Sequence, residues 1–182
     1  MLPNHTQSAK LLDGRAVADQ VLERLRVVIE QSQARGIPAP GLAVVLVGDD
    51  PASEVYVSHK VRACERVGIR SMTHHLPANT SETELLQLID HLNANPEVNG
   101  ILVQLPLPAP LDGLKVTRAI LPEKDVDGFH PINIGLLAQR TPQIRPCTPR
   151  GVVALLQAYK IDVKYKQALV VGASNIVGRP LM

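Results

Sequence analysis

The chain has 182 residues, 45% hydrophobic and 20% charged, which excludes a disordered segment and supplies material for one sizeable core, or one domain and part of another. A net charge of +2 without a basic run, and only 2% aromatic residues, exclude the electrostatic footprint and stacking platforms of a nucleic-acid binder. No stretch reaches the ~18 apolar residues of a membrane span, and Met1–Ala9 is polar without the apolar core of a leader, so the expectation is a cytoplasmic protein with no membrane partner.

In chain order, Val17, Val21, Leu25, Val28 and Ile29 recur at helical spacing and predict an amphipathic helix, ended by Gly36, Pro38 and Pro40. Leu42–Val47, bounded by Gly41 and Gly48, reads as a buried strand. Ser53 is the expected N-cap of a helix to about Val67, with Gly68 at its stop. Ile69–Leu76 can form a second strand, Ser81 and Glu84 make a capping box for a helix through about Asn93, and Gly100–Leu105 reads as a third strand.

Strands alternating with helices at this pitch imply βαβ units, hence an α/β fold with a largely parallel sheet covered on both faces. A loop-rich zone follows from Pro122 to Pro149, where Thr148 and Pro149 signal the start of a helix to about Tyr159. That places a domain boundary between residues 1–147 and 148–182. Beyond it, Ala168–Val171 is expected as a short strand leading into the turn of Gly172, Ala173, Ser174 and Gly178. A nucleotide-binding domain needs roughly 100 residues, so the expectation is that the chain stops soon after such a domain opens.

Tyr56, Lys60, Ala63, Cys64 and Val67 fall on one face of the second helix, which puts Lys60 within an apolar stripe. A lysine there either snorkels to water or is paired and used, and in the second case it can exchange protons with a substrate. Tyr56, one turn earlier, reads as a core residue or a substrate shelf. Gln104, in the run Val103, Gln104, Leu105, lies at the carboxyl end of a parallel strand, where ligands of such sheets bind. It satisfies backbone groups or orients a neighbour such as Lys60.

Asp125 and Asp127 flank Val126 in a tight loop before Gly128, whose position does not match an EF-hand. The loop reads as a solvated turn or as a carboxylate placed to meet the N–H donors of a heterocycle. Gly172–Gly178 resembles a phosphate-binding turn at a helix N-terminus, although its spacing departs from the dinucleotide fingerprint. Cys64 and Cys147 show no metal spacing and read as reduced packing residues; His74 and His75 point to opposite faces of a strand, and no metal site is expected.

The stretches Tyr56–Ile69, Gly100–Pro108, Pro122–His130, Pro146–Val152 and Gly172–Pro180, in this order, resemble motifs of the bifunctional methylenetetrahydrofolate dehydrogenase/methenyltetrahydrofolate cyclohydrolase family, bacterial type. The resemblance implies a catalytic N-terminal α/β domain, a Rossmann-type NADP-binding domain and a folate cleft between them. It implies Lys60 as the acid/base group, Gln104 as the residue that tunes it, Asp127 as the grip on the pterin and Tyr56 as a wall along the folate, with Val103 and Leu105 in the same substrate-binding run. Gly172, Ala173 and Ser174 would meet the cofactor; many members carry Arg where this chain has Ala173.

The implied chemistry is oxidation of 5,10-methylenetetrahydrofolate with NADP, then hydrolysis of the methenyl product to 10-formyltetrahydrofolate, by a homodimer. With so little of the second domain, the chain by itself is expected to lack dehydrogenase turnover. The residues alone leave two other readings open: a lysine Schiff-base enzyme acting on a carbonyl substrate, and a noncatalytic binding module of the same fold.

Overall fold

Gly41–Val47 (β1) is buried along nearly its whole length, the pattern required of a central parallel strand covered on both faces. In the computed structural model, which describes residues 9–182, β1 is flanked by Arg70–Leu76 (β2) and Gly100–Val103 (β3), both parallel to it, in the order β2-β1-β3. The polar stretch read as leaderless lies, Ala9 apart, outside the described residues. Among those described, no helix is long and apolar enough to cross a membrane.

Because strand side chains alternate, β1 feeds two cores. Ala43, Val45 and Val47 point to one face, where Ile101, Val103, Leu85, Ile89, Leu92, Val116 and Ile120 enclose them. Val44 and Leu46 point to the other, against Leu102 and Val57. The first core is covered by Glu82–Ala94 (α3) and Gly113–Ala119 (α4), the second by Pro51–Val67 (α2), which gives the expected three-layer α/β arrangement. Leu85 and Ile89 are fully buried, each stabilising the fold by ~1.5–3 kcal/mol.

Several element starts differ from expectation for reasons of capping. Asp50, not Ser53, caps α2: its carboxylate accepts from Ser53 N–H at 2.8 Å, and Pro51 takes the first helical position. Ser53 is instead buried in the first turn. Gly68 ends α2 in the left-handed conformation, and the Ser81–Glu84 box opens α3, both as expected. Gly14–Ala34 (α1) is longer than its apolar run and is opened by Asp13. Of that run only Ile29 is buried, whereas Val21, Leu25 and Val28 are exposed.

The zone expected to be loops holds helix. Within Pro122–Pro149, Pro131–Ala138 (α5) follows His130, whose Nδ1 accepts from Ile132 N–H at 3.1 Å; α4, ahead of that zone and likewise not expected, is capped by Asp112, which accepts from Leu114 and Lys115 N–H. Cys147–Ala158 (α6) begins after Pro146 without a side-chain cap, so Thr148 lies inside the helix rather than at its cap. Ala168–Val171 pairs with no strand among the described residues; Leu169 and Val171 are almost wholly exposed, and the apolar run lacks a ladder to join. The chain then turns into Gly178–Leu181 (α7).

Candidate active site

All three strands run the same way, so their carboxyl ends share one edge of the sheet. β3 ends at Val103, two residues sooner than expected, but the Gln104 N–H still donates to the Val45 carbonyl at 2.9 Å. The backbone of Gln104 is thereby anchored while its side chain leaves the ladder. Its Oε1 accepts from Lys60 Nζ at 2.9 Å, and its Nε2 donates to the Leu105 carbonyl at 2.7 Å. An ammonium only donates and a carbonyl only accepts, so these two partners fix which way the amide faces.

Lys60 does not sit in the middle of the apolar stripe. The buried face of α2 is Ser53, Val57, Cys64 and Val67, and Lys60 lies half-buried at its margin, with Tyr56 63% exposed one turn earlier. Tyr56 is therefore not a core residue. Val103 is 6% exposed and packs into the core with α3 and α4, so only its main chain can face the sheet edge; Leu105 is half-buried.

The Asp125–Asp127 loop is no solvated turn. Ile101 N–H donates to the Lys124 carbonyl at 2.7 Å, and Ile101 and Asp125 form a parallel bridge that fastens the loop to the free side of β3. Asp125 is 1% exposed and accepts from Gly128 N–H (3.1 Å), His130 N–H (2.8 Å) and Asn133 Nδ2 (2.9 Å). Lys124 Nζ reaches the carbonyls of Leu92, Asn93 and Asn95 and so closes the carboxyl end of α3.

Asp127, on the same loop, is half-buried, and burial raises its carboxyl pKa above the usual aspartate value. The charge of Lys60 opposes that rise, whereas the charge of Asp125 adds to it. Cys147, at the start of α6, completes the group. The residue is exposed, but its Sγ lies 3.5 Å from the Val126 carbonyl, and burial raises the thiol pKa, with the nearby Asp127 charge adding to the effect. Cys64, by contrast, is a buried packing residue, as expected.

Residues 12–127 match the model of the tetrahydrofolate dehydrogenase/cyclohydrolase catalytic domain, and residues 146–182 match that of the same family's NAD(P)-binding domain. The chain belongs to this family. It is similar to the solved bifunctional methylenetetrahydrofolate dehydrogenase/cyclohydrolase of Campylobacter jejuni, at 48% identity over 96% of this chain and 62% of that one, with a TM-score of 0.93. A 5,10-methylenetetrahydrofolate dehydrogenase from the silkworm Bombyx mori is 43% identical over 96% of this chain and 60% of its own, also with a TM-score of 0.93. The Trypanosoma brucei dehydrogenase-cyclohydrolase, solved with NADP and an inhibitor, is 34% identical over 95% and 59%, with a TM-score of 0.90. The chain thus spans about three-fifths of the length of these relatives.

Within the family's NAD(P)-binding segment, Val177 and Gly178 N–H both point at Ser174 Oγ, at 3.1 and 3.3 Å. These two amides at the start of α7 are thus satisfied within the chain by the Ser174 hydroxyl. Arg179 is the nearby cation, its Nε donating to the Ala173 carbonyl at 3.1 Å.

Two features escaped the sequence reading. Cys147 lies beside Asp127, and its place in the Pro146–Val152 stretch was the available signal. Asp49, Glu54 and His75 gather at the start of α2, where pairing His75 only with His74 concealed them. All three are exposed, His75 Nε2 is already 2.9 Å from the Gly48 carbonyl, and a helix amino terminus disfavours a cation.

Proposed function

We propose that this chain carries the folate site of an enzyme that oxidises 5,10-methylenetetrahydrofolate with NADP and hydrolyses the methenyl product to 10-formyltetrahydrofolate. The observation that supports it best is the 2.9 Å contact between Lys60 and Gln104 with Asp127 in electrostatic reach, in a chain of this family. Asp127 offers two acceptor oxygens to the adjacent amino and ring N–H donors of the pterin. Tyr56 lines the folate, and the main chain of Val103 with Leu105 forms the floor beside Gln104.

In the hydrolytic half, water adds to the methenyl carbon and loses a proton; the bond from that carbon to N5 then breaks as N5 takes a proton and the hydroxyl loses its own to become the formyl oxygen, so that one proton is released overall. Lys60 Nζ moves these protons, and Gln104 holds the amine on the line of transfer. Bound NADP supplies the hydride acceptor, its phosphates held by Gly172, Ala173 and Ser174. The homodimer and cytoplasmic location belong to the same proposal; the exposed Val21, Leu25 and Val28 on α1 offer an apolar face to a second copy.

Replacing Lys60 with Met keeps the length of the stem and removes the ammonium. Hydrolysis of 5,10-methenyltetrahydrofolate is expected to slow by ~10²- to 10⁴-fold, the usual worth of a positioned acid/base group. Unchanged hydrolysis would turn the proposal toward a noncatalytic module, and a borohydride-trapped adduct on Lys60 would turn it toward Schiff-base chemistry.

A further inference from the structure

Asn133 is an amide embedded in an apolar helix, with only 1% of its surface exposed. Burying an amide there is costly unless its donors are matched. Both hydrogens of its Nδ2 are used: one reaches the Pro122 carbonyl at 2.8 Å and the other Asp125 Oδ2 at 2.9 Å. The two remaining donors to the Asp125 carboxylate, Gly128 N–H and His130 N–H, belong to the loop's own turn and its exit. Asn133 therefore supplies the side-chain tie between that turn and α5, and through Pro122 it also holds the start of the loop.

We propose that Asn133 is a positioning residue for Asp127, acting through the buried Asp125 carboxylate; the proposal rests on the reading of Asp127 as the group that grips the pterin. Asp127 lies two residues beyond Asp125 and one before Gly128, so a turn released from α5 carries Asp127 with it. The charged and titratable groups facing Asp127 are Lys60 from α2 and Asp125 from its own loop, with Cys147 beside it on α6 and Arg150 acting on that thiol. Loss of the Asn133 amide removes one of three donors from Asp125 and lets Asp127 swing toward water. The move toward water relieves the burial that most disfavours its charge.

The test uses the whole chain with Asn133→Leu and the milder Asn133→Thr, which keeps one hydroxyl donor. The Asp127 carboxyl carbon is titrated by NMR, and folic acid affinity is measured by calorimetry in the native and Asp127→Asn backgrounds. The titration midpoint of Asp127 is expected to fall toward the ordinary aspartate value in Asn133→Leu and part of the way in Asn133→Thr. Affinity is expected to fall about tenfold in the native background, the scale of one hydrogen bond to a charged group, and not at all in the Asp127→Asn background.

An Asp127 titration that does not move in either folded variant overturns the proposal, and so does an equal loss of affinity in both backgrounds. Asp127→Asn with undiminished affinity overturns the pterin reading instead, and the titration still decides whether Asn133 positions the loop.

Discussion

Gly128 and Gly36 both have positive φ, +72° and +82°, but their surroundings differ. A Cβ on Gly36 would meet nothing within 4 Å, whereas one on Gly128 would lie 2.7 Å from the Arg145 carbonyl carbon and 2.8 Å from Pro146 N. Alanine at either position incurs the left-handed penalty of about 1 kcal/mol. At Gly128 the added methyl also presses on main chain that cannot rotate away, an overpacking cost of about 1–3 kcal/mol. For a protein of this size 1 kcal/mol moves Tm by roughly 2–4 °C, so Gly36→Ala should lower Tm by about 2–4 °C and Gly128→Ala by about 4–16 °C.

Thermal melts followed by circular dichroism measure the difference. The junction that must yield in Gly128→Ala also leads into Cys147, so that variant should lose folate-analogue affinity while Gly36→Ala keeps it. Equal melting shifts and equal affinities for the two would refute the idea that the Asp127 loop is seated against a rigid Arg145–Pro146 backbone.

Asp127→Asn should bind folate less well yet be more stable at neutral pH. Burial raises the Asp127 pKa above its unfolded value of 3.8, so the native state binds the extra proton in the window between the two. The stability this gives is complete below pH 3.8 and is lost as pH rises through the native value. Urea midpoints should therefore favour the Asn variant at pH 7 and converge with the native chain as pH falls through that window; a lower midpoint at pH 7 contradicts the burial argument. Ser81→Ala removes the N-cap of α3 and should cost about 1 kcal/mol in the same assay. Leu85→Ala opens a cavity between α3 and the sheet at a residue with 0% exposure, and should cost about 2–5 kcal/mol.

The layers were legible because each core strand wrote its environment into its composition. A continuous run such as Leu42–Val47 fits only a strand covered on both sides, and Ser81 with Glu84 fixes where α3 starts. Helices short of a periodic apolar face were not legible. α4 spans seven residues and α5 is apolar nearly all round, so neither shows a helical stripe, and their starts depend on Asp112 and on a histidine nitrogen serving as cap. Asp125 and Asp127 illustrate the same limit at the site: two carboxylates two residues apart look alike in sequence, and only the folded chain makes Asp125 a buried pin and leaves Asp127 half-buried within electrostatic reach of Lys60.

The meeting of Lys60 with Gln104 follows from chain direction. α2 starts at the carboxyl edge of the sheet and runs away from it, so Lys60, nine residues past Pro51, lies between two and three turns into the helix. Helical side chains lean toward the amino end, and the four-carbon stem of lysine carries Nζ back to the residue just past β3. Tyr56, one turn nearer the edge, stays exposed. An alanine insertion in α2 between Tyr56 and Lys60 would rotate the lysine by about 100° and shift it 1.5 Å farther from the edge. The same rotation would turn the buried Cys64 and Val67 off the core, so both the Lys60–Gln104 contact and the packing beneath α2 depend on the phase of one helix as much as on the chemistry of the residues it brings together.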